Sequence, residues 1–405
     1  MLFPVQQNQI ILKDCVSLYV HIPFCKKKCA YCDFFSVPCQ NGVPDEYISA
    51  VLAEIAFRKK IHRITSWHTV YIGGGTPSLL SPAQLERLCT QILAMSKKNP
   101  AEFTVEMNPD DVSAQILSTA QNSGVDRLSL GVQSLNDSAL RTVSRRCSRK
   151  TTLDALELVK KKWNGRLSLD AIAGLPNQNA TEFLSSLAEI VSFSPEHISL
   201  YSLMVEENTP LFRSIESGRI FFDSDEADSQ WILGRDFLKS NGFLQYEVSN
   251  FAKPHAESLH NSVYWHLQDY VGAGSGATGS LYEKTGIRWT NTDTIERYTS
   301  FWLSDEISAE KIPCETETLS PEIQESEFLM MGFRLLSGIN EAEFRKRFGK
   351  NLFERLGAEN GIFSNWIKRG NARIYTKCVN GKDETIFALT ENGILFLNSF
   401  LESIL

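Results

Sequence analysis

The chain has 405 residues, 42% apolar and 22% charged, with 41 basic against 48 acidic side chains and a net charge of −7. That length favours two or three domains, and the composition excludes a disordered or fibrous protein. No window approaches about eighteen uninterrupted apolar residues, the N-terminal MLFPVQQNQIILKDC lacks the basic, apolar and small-residue order of a secretory signal, and the acidic balance argues against a general nucleic-acid binder.

From 17 to 203, short β-branched or apolar runs alternate with amphipathic stretches. Strands are expected at SLYVHI (17–22), HTVYIG (68–73), EFTVEM (102–107), DRLSLG (126–131), RLSLDAI (166–172) and HISLYSL (197–203). Helices are expected over 45–63, 81–97, 112–122, 136–162 and 179–192. Ser81-Pro82 supplies a helix start, and Asp111 and Asn179 read as caps. Six such alternations, with connections long enough for right-handed crossovers, imply a helix-covered parallel sheet, doubly wound or barrel-like.

The polar and glycine residues choose between the two. Cys25 follows the first strand, Gly73-Gly74-Gly75-Thr76-Pro77 ends the second, and Glu106-Met107-Asn108-Pro109 ends the third. Gln133 and Ser134 follow the fourth, Asp170 and Gly174-Leu175-Pro176 end the fifth, and Tyr201 lies in the sixth. Chemistry at every carboxyl end is how a barrel builds its mouth, whereas a doubly wound sheet concentrates it at one switch point. An α/β partial (β/α)6 barrel is therefore expected.

Beyond it come an acidic helical stretch (223–241), QYEVSNFAKP, and HNSVYWHLQDYVGAGSGATGS, dense in aromatics and glycines. Helices over 322–336 and 341–355, a hairpin over 373–390 and an apolar last helix over 391–405 suggest a small winged-helix-like domain. The expected organisation is an N-terminal extension (1–16), a barrel core (17–215), a barrel extension carrying HNSVYW (216–290) and a C-terminal helical domain (291–405).

Nine cysteines without a signal sequence point to reduced thiols and a cytoplasmic location. Cys25, Cys29 and Cys32 fall within eight residues, and three thiolates on a short loop suit either zinc or an iron–sulfur cluster. No second pair of metal-ligand spacing follows. A [4Fe–4S] cluster on three cysteines leaves one iron open to a small ligand. Glu106, Gln133, Arg145 and Asp170 offer partners for an amino group, a carboxylate and ribose hydroxyls.

YVHIPFCKKKCAYCDF resembles the cluster-binding loop of radical S-adenosylmethionine proteins, with that family's CxxxCxxC spacing. His21-Ile22-Pro23-Phe24 and Cys32-Asp33-Phe34 resemble the branch that holds oxygen-independent coproporphyrinogen III oxidase and the heme chaperones. GGGTPS, VEMNP, LGVQS, DAIAGLP, YEVSNFA and HNSVYW carry the match over nearly all of 17–280, and EFLMMGFRLLSGI and LTENGI extend it faintly into the C-terminal domain. The resemblance implies a radical-SAM barrel in which Cys25, Cys29 and Cys32 hold a [4Fe–4S] cluster and S-adenosylmethionine chelates the fourth iron. It places Tyr19 and Tyr31 beside that ligand and Gly74, Gly75 and Thr76 at its amino-acid end. Glu106, Gln133, Arg145 and Asp170 match further contacts to it. One-electron reduction would then cleave the sulfonium, the cofactor carrying the chemistry. Lys26-Lys27-Lys28 would raise the cluster's potential, or form only a solvated loop.

In the resemblance, the oxidase carries another cysteine two residues after the third ligand. Phe34 stands there, and only a short segment precedes Cys25; both favour the chaperone branch. HNSVYW points the same way, with His260 as axial or orienting group for heme and Tyr264 and Trp265 stacking on the macrocycle. The other reading of that motif is a buried polar turn packed against the barrel. Cys147 replaces the family's usual His, and Ala173 stands for a larger residue, which would widen the mouth. Three function classes follow: a heme chaperone serving apo-hemoprotein acceptors, respiratory ones among them; a coproporphyrinogen III oxidase; and a zinc-stabilised interaction protein. The resemblance also implies a low-potential electron donor and is compatible with a homodimer through the cluster region.

Overall fold

The computed structural model describes residues 13, 15–357, 361–379 and 381–405. The N-terminal extension expected over 1–16 lies outside the described residues apart from 13, 15 and 16.

Strict alternation builds the sheet. In β1 (Val16–Ile22), Val16, Leu18, Val20 and Ile22 are buried in the main core, while Ser17, Tyr19 and His21 take the opposite face. A two-residue ladder of β2 (Phe24–Cys25) with β3 (Val37–Pro38) closes the cysteine loop. Then follow α1 (Asp45–Ile61), β4 (Trp67–Gly74), α2 (Pro82–Ala94), β5 (Glu102–Met107), α3 (Ala114–Asn122) and β6 (Arg127–Gln133). After these come α4 (Asp137–Thr142), α5 (Arg149–Lys162), β7 (Arg166–Ala173), α6 (Ala180–Ser192) and β8 (His197–Ser202). The six strands β1, β4, β5, β6, β7 and β8 lie side by side, all parallel and in chain order. One face is apolar under the helices; Leu18, Val70, Leu128 and Leu169 are all 0% exposed, each worth about 1.5–3 kcal/mol. The other face carries Thr69, Tyr71, Glu106, Arg127, Ser129, Asp170 and His197, so the hollow of the barrel is polar.

The barrel stays open. On one side α7 (Pro210–Glu216) and α8 (Ser224–Ser240) lead to β9 (Leu244–Gln245) and β10 (Asn250–Ala252), and β10 pairs antiparallel with β8. On the other, α9 (Leu259–Trp265) leads to β11 (Tyr270–Ala273), parallel to β1, and then to β12 (Thr278–Leu281), β13 (Gly286–Asn291), α10 (Ile295–Trp302) and β14 (Cys314–Leu319). The result is one twelve-stranded sheet in the order β14-β13-β12-β11-β1-β4-β5-β6-β7-β8-β10-β9. Buried Glu54 clamps this flank to α1, accepting from Arg58, Asn291, Tyr298 and the Gly274 amide.

α11 (Pro321–Gly332), β15 (Ile339–Asn340), α12 (Glu341–Phe348), α13 (Leu352–Arg355), α14 (Ile362–Lys368), β16 (Ala372–Val379), β17 (Lys382–Leu389) and α15 (Leu397–Ile404) complete the chain. They form a helical unit around the small sheet β15-β17-β16, winged-helix-like as expected, with a phenylalanine-rich core. Among the described residues no helix is long and apolar enough to cross a membrane.

Three local expectations are corrected. The stretch 136–162 is two helices, because Ser144 takes φ 57° and Ser148 starts α5 with a capping box. The stretch 341–355 breaks at Gly349, which is left-handed at φ 69°. Asp111 caps no helix; Ser113 caps α3, while Asn179 and Ser81 each form a capping box.

Candidate functional site

The cysteine loop is stapled at its base, where the Val37 and Cys39 amides donate to Pro23 and Cys25 carbonyls at 2.7 Å each. Its middle is pinned by Ala30 N–H to the Val143 carbonyl and Leu211 N–H to the Ala30 carbonyl, both 2.9 Å. Lys26 pairs with Asp111 at 2.8 Å, and Arg146 pairs with Asp110 and Asp111 at 3.2 and 3.0 Å. Lys26 is thus a tether, Lys28 donates to the Phe34 carbonyl, and Lys27 lines the cavity described next.

At the carboxyl ends of β4 to β8 lies a cavity of about 450 Å³. Cys25, Cys29, Cys32 and Tyr31 form one wall; Gly74, Gly75, Thr76, Glu106, Asn108, Gln133, Arg145 and Asp170 form the others. The expected residues come together with two groups of exceptions. Tyr19 does not line the cavity, and His260, Tyr264 and Trp265 lie on α9, outside it.

The glycine run is required by packing. A Cβ on Gly73 would stand 2.8 Å from the Tyr71 ring, and one on Gly74, at φ +114°, 2.6 Å from the His21 ring. A Cβ on Gly75 would stand 2.8 Å from the Phe24 carbonyl and 3.1 Å from Cys25 Sγ. The cysteine loop therefore rests directly on glycine backbone. Thr76 Oγ1 donates to Cys25 Sγ at 3.3 Å and accepts from Asn108 Nδ2 at 3.0 Å. Arg145 reaches Cys29 Sγ at 3.5 Å, Asn108 Oδ1 at 2.7 Å and the Gly131 carbonyl.

Two carboxyls face the hollow, Glu106 on β5 and Asp170 on β7, with β6 between them. Burial pushes Glu106 up to about 7, although its oxygens accept from the Tyr71 hydroxyl at 2.6 Å and the Gly74 amide at 3.2 Å. Burial also raises Asp170, which accepts from Ser129 at 3.3 Å. Burial raises the Cys32 thiol to about 11. A register shift in β6 turns Gln133 to φ 68°, and its Oε1 is buried with no partner. An orphaned acceptor, two carboxyls and three thiols around one cavity fit a cluster with a polar, cationic co-ligand. Zinc on these thiols would need them roughly 3.8 Å apart around one ion; among the described residues no three His, Cys, Asp or Glu side chains are placed to share an ion.

The mouth has an apolar rim that the sequence did not announce. Phe34 is 67% exposed, Met204 71% and Tyr201 42%, and all three line the cavity. Tyr71 and Asn108 were likewise missed as supporting residues; the signal was there for Tyr71, two positions before Gly73 on the same face of β4.

Four expectations change here. His260 is 1% exposed, with Nδ1 2.7 Å from Thr69 Oγ1 and Nε2 2.8 Å from the Tyr264 hydroxyl, so neither nitrogen is free for iron. The buried polar turn is the reading that stands: Glu102 accepts from Ser258 Oγ and from the amides of Leu259 and His260, holding α9 at the amino ends of the strands. Tyr264 is committed to His260, and half-buried Trp265 stands under Arg334 rather than open to a macrocycle. Ala173 is fully buried in the helix-facing core and does not widen the mouth; Asp170 and Ile172 face it instead. Cys147, in place of the usual imidazole, is itself buried.

Residues 19–190 match the Radical SAM superfamily, and 319–362 match the HemN C-terminal domain. The heme chaperone HemW of Lactococcus lactis subsp. lactis is 35% identical, over 85% of this chain and 87% of that protein. The chain belongs to the HemW family. HemW of Bacillus subtilis is 32% identical over 94% of this chain and 97% of its own length. The fold of this HemW-family chain is similar to that of the solved coproporphyrinogen III oxidase HemN of Escherichia coli, with a TM-score of 0.79 at 19% identity, covering 97% of this chain and 90% of that one. The Radical SAM family implies a [4Fe–4S] cluster and S-adenosylmethionine as cofactors.

Proposed function

We propose that this chain is a heme chaperone that binds heme at the mouth of a radical-SAM cofactor site and hands it to apo-hemoproteins. Cys25, Cys29 and Cys32 would hold the [4Fe–4S] cluster, and Glu106, Gln133, Arg145, Asp170, Thr76 and the Gly74-Gly75 backbone would hold S-adenosylmethionine. When bound, the cluster supplies one-electron reducing chemistry toward the sulfonium, drawing on a low-potential donor. Arg145 keeps a permanent positive charge beside Cys29 and fixes Asn108, which in turn orients Thr76 toward Cys25. Gln133 presents an unpaired acceptor to a donor group. Glu106 and Asp170 offer carboxylates whose ionisation a cationic ligand would favour.

The observation that carries the reading is the exposed rim of Phe34, Tyr201 and Met204 around a cavity walled by three thiols. Large apolar side chains exposed singly are ordinary, but three gathered at the rim of one cavity make the kind of patch that marks a ligand-binding groove. Heme is a flat apolar ring carrying two carboxylates and an iron. Phe34 and Tyr201 offer the ring aromatic faces, Met204 offers iron a thioether, and Lys27, in no ion pair among the described residues, stands by for a propionate. Phe34 occupies the place of the oxidase's extra cysteine, which also turns the reading from decarboxylation to transfer.

Heme titration of the anaerobically reconstituted protein tests this. Wild type should bind about one heme per chain with a shifted Soret band. Phe34→Ser with Met204→Ser should weaken binding at least about tenfold, from the apolar area lost, with iron and sulfide content unchanged. Unchanged heme affinity in that variant refutes the rim. Turnover of coproporphyrinogen III to protoporphyrinogen would overturn the chaperone reading and make the chain an oxidase.

A further inference from the structure

In and beneath the hollow of the barrel, three tyrosines in mutual or histidine-bridged ring contact each end their hydroxyl on a base or an imidazole nitrogen. Tyr71 donates to Glu106 Oε1 at 2.6 Å, Tyr19 meets His21 Nδ1 at 2.8 Å, and Tyr264 meets His260 Nε2 at 2.8 Å. The surroundings settle the tautomer of His21. His21 Nε2 lies 3.0 Å from the Phe35 carbonyl, which can only accept, so Nε2 carries the hydrogen and Nδ1 is bare. Thr69 Oγ1 lies 2.8 Å from Ser17 Oγ and 2.7 Å from His260 Nδ1; with Thr69 donating to Ser17 it accepts from Nδ1, and this tautomer of His260 leaves Nε2 bare toward Tyr264. Burial keeps both imidazoles neutral at ordinary pH, lowering His21 and holding His260 down at about 3. Tyr71 and Tyr19 therefore donate to an acceptor, and Tyr264 does so in the Nδ1–H tautomer of His260.

The rings also touch in series. Tyr71 stacks on His260 with centroids 5.0 Å apart and on Tyr19 at 6.2 Å; His260 meets Tyr264 at 5.2 Å, and Tyr264 meets Tyr270 at 4.8 Å. Glu106 lines the cavity at the carboxyl ends of the strands, whereas Thr69 and Glu102 bring His260 and Tyr264 to the amino ends. The series spans the barrel.

We propose that Tyr71, Tyr19 and Tyr264 with their bases form a proton-coupled redox path that carries one-electron oxidising equivalents from the cavity wall to the far end of the barrel. In each step a tyrosine gives one electron to the oxidant and its hydroxyl proton to the adjacent base, leaving a neutral tyrosyl radical and a protonated base. The radical is quenched when the next tyrosine returns an electron and the base returns the proton. The oxidant is a one-electron acceptor arising in the cavity, either a high-valent metal, which is reduced by one unit, or a carbon radical, which takes the electron together with a solvent proton to form a C–H bond. At the far end an external thiolate gives the last tyrosyl radical its electron while the base returns the proton. Such a path would drain a stray radical before it attacks the cysteine loop. This inference stands on the barrel interior alone and survives if heme does not bind the rim. It also gives His260 and Tyr264 a role other than heme ligation.

The test uses the metal-free full-length chain and a photogenerated ruthenium(III) tris-bipyridine oxidant, read by electron paramagnetic resonance and transient absorption. Wild type should give neutral tyrosyl radicals whose formation slows in D2O. Replacing Tyr19, Tyr71 and Tyr264 together by Phe should abolish most of that signal, although eight of the eleven tyrosines remain. Tyr264→Phe alone, which removes one oxygen, should lower the yield and serves if the triple variant does not fold. His260→Gln retains hydrogen bonding but cannot take a proton, so it should remove the Tyr264 contribution and its isotope effect. A purely structural role would change melting without changing radical yield. Equal radical yield and isotope effect in wild type and the Phe variants overturns the proposal.

Discussion

Replacing Glu106 by glutamine should remove a pH dependence of stability that the native site carries. Burial raises this carboxyl from 4.5 to about 7; the Tyr71 hydroxyl opposes the rise, and the Asp170 carboxylate adds to it. Between those two pH values the folded chain keeps the proton that the unfolded chain has lost. Raising the pH through this window therefore favours unfolding, and the contribution is fully lost above about 7. At about 1.4 kcal/mol per pH unit the gap is worth roughly 3 kcal/mol. Urea titrations of the metal-free chain from pH 5 to pH 8, wild type against Glu106→Gln, isolate it as a difference of slopes. Asp170 titrates in both proteins and largely cancels, though its charge helps to hold Glu106 up, so Asp170→Asn should shrink the same difference. Parallel profiles for wild type and Glu106→Gln would refute the argument, because they would mean that the carboxyl titrates alike in folded and unfolded chains.

Gly75→Ala should impair cluster loading, since its methyl would lie 2.8 Å from the Phe24 carbonyl and 3.1 Å from Cys25 Sγ; iron and sulfide per chain after reconstitution should fall well below wild type, and equal loading would remove the contact from the account. Glu102→Ala leaves the Leu259 and His260 amides without an acceptor and Arg166 without its 3.4 Å partner. The loss should be on the order of 3–5 kcal/mol in denaturant unfolding, and a change below about 1 kcal/mol would show that α9 is held by something else.

The candidate site was legible where chemistry is local. Cys25, Cys29 and Cys32 declare themselves by spacing, and Glu106, Gln133 and Asp170 by standing at successive strand ends. Gly75 is required by the same loop that it supports. His260 was left between heme ligation and a buried polar turn because its environment is non-local: its Nδ1 meets Thr69, 191 residues away in the chain. Asp111 shows the same limit, for its position fits a cap but its partners are Lys26 and Arg146, from loops that meet only in the folded chain. The stretch 136–162 keeps an amphipathic pattern through Ser144, whose left-handed backbone breaks the helix and turns Arg145 inward.

Sequence alone determined the six strands and the loop that carries the thiols, because a two-residue strand period and short motif spacings are set by covalent neighbours. Tertiary structure decided which strand residues face the hollow and which the helices. Asp170 and Ala173 differ by three positions and so point to opposite faces. It also decided that β11 extends the parallel sheet beside β1, that α9 sits at the amino ends under Glu102, and that Phe34, Tyr201 and Met204 share one rim. Those outcomes depend on pairing and burial between segments far apart in the chain, which no local pattern encodes.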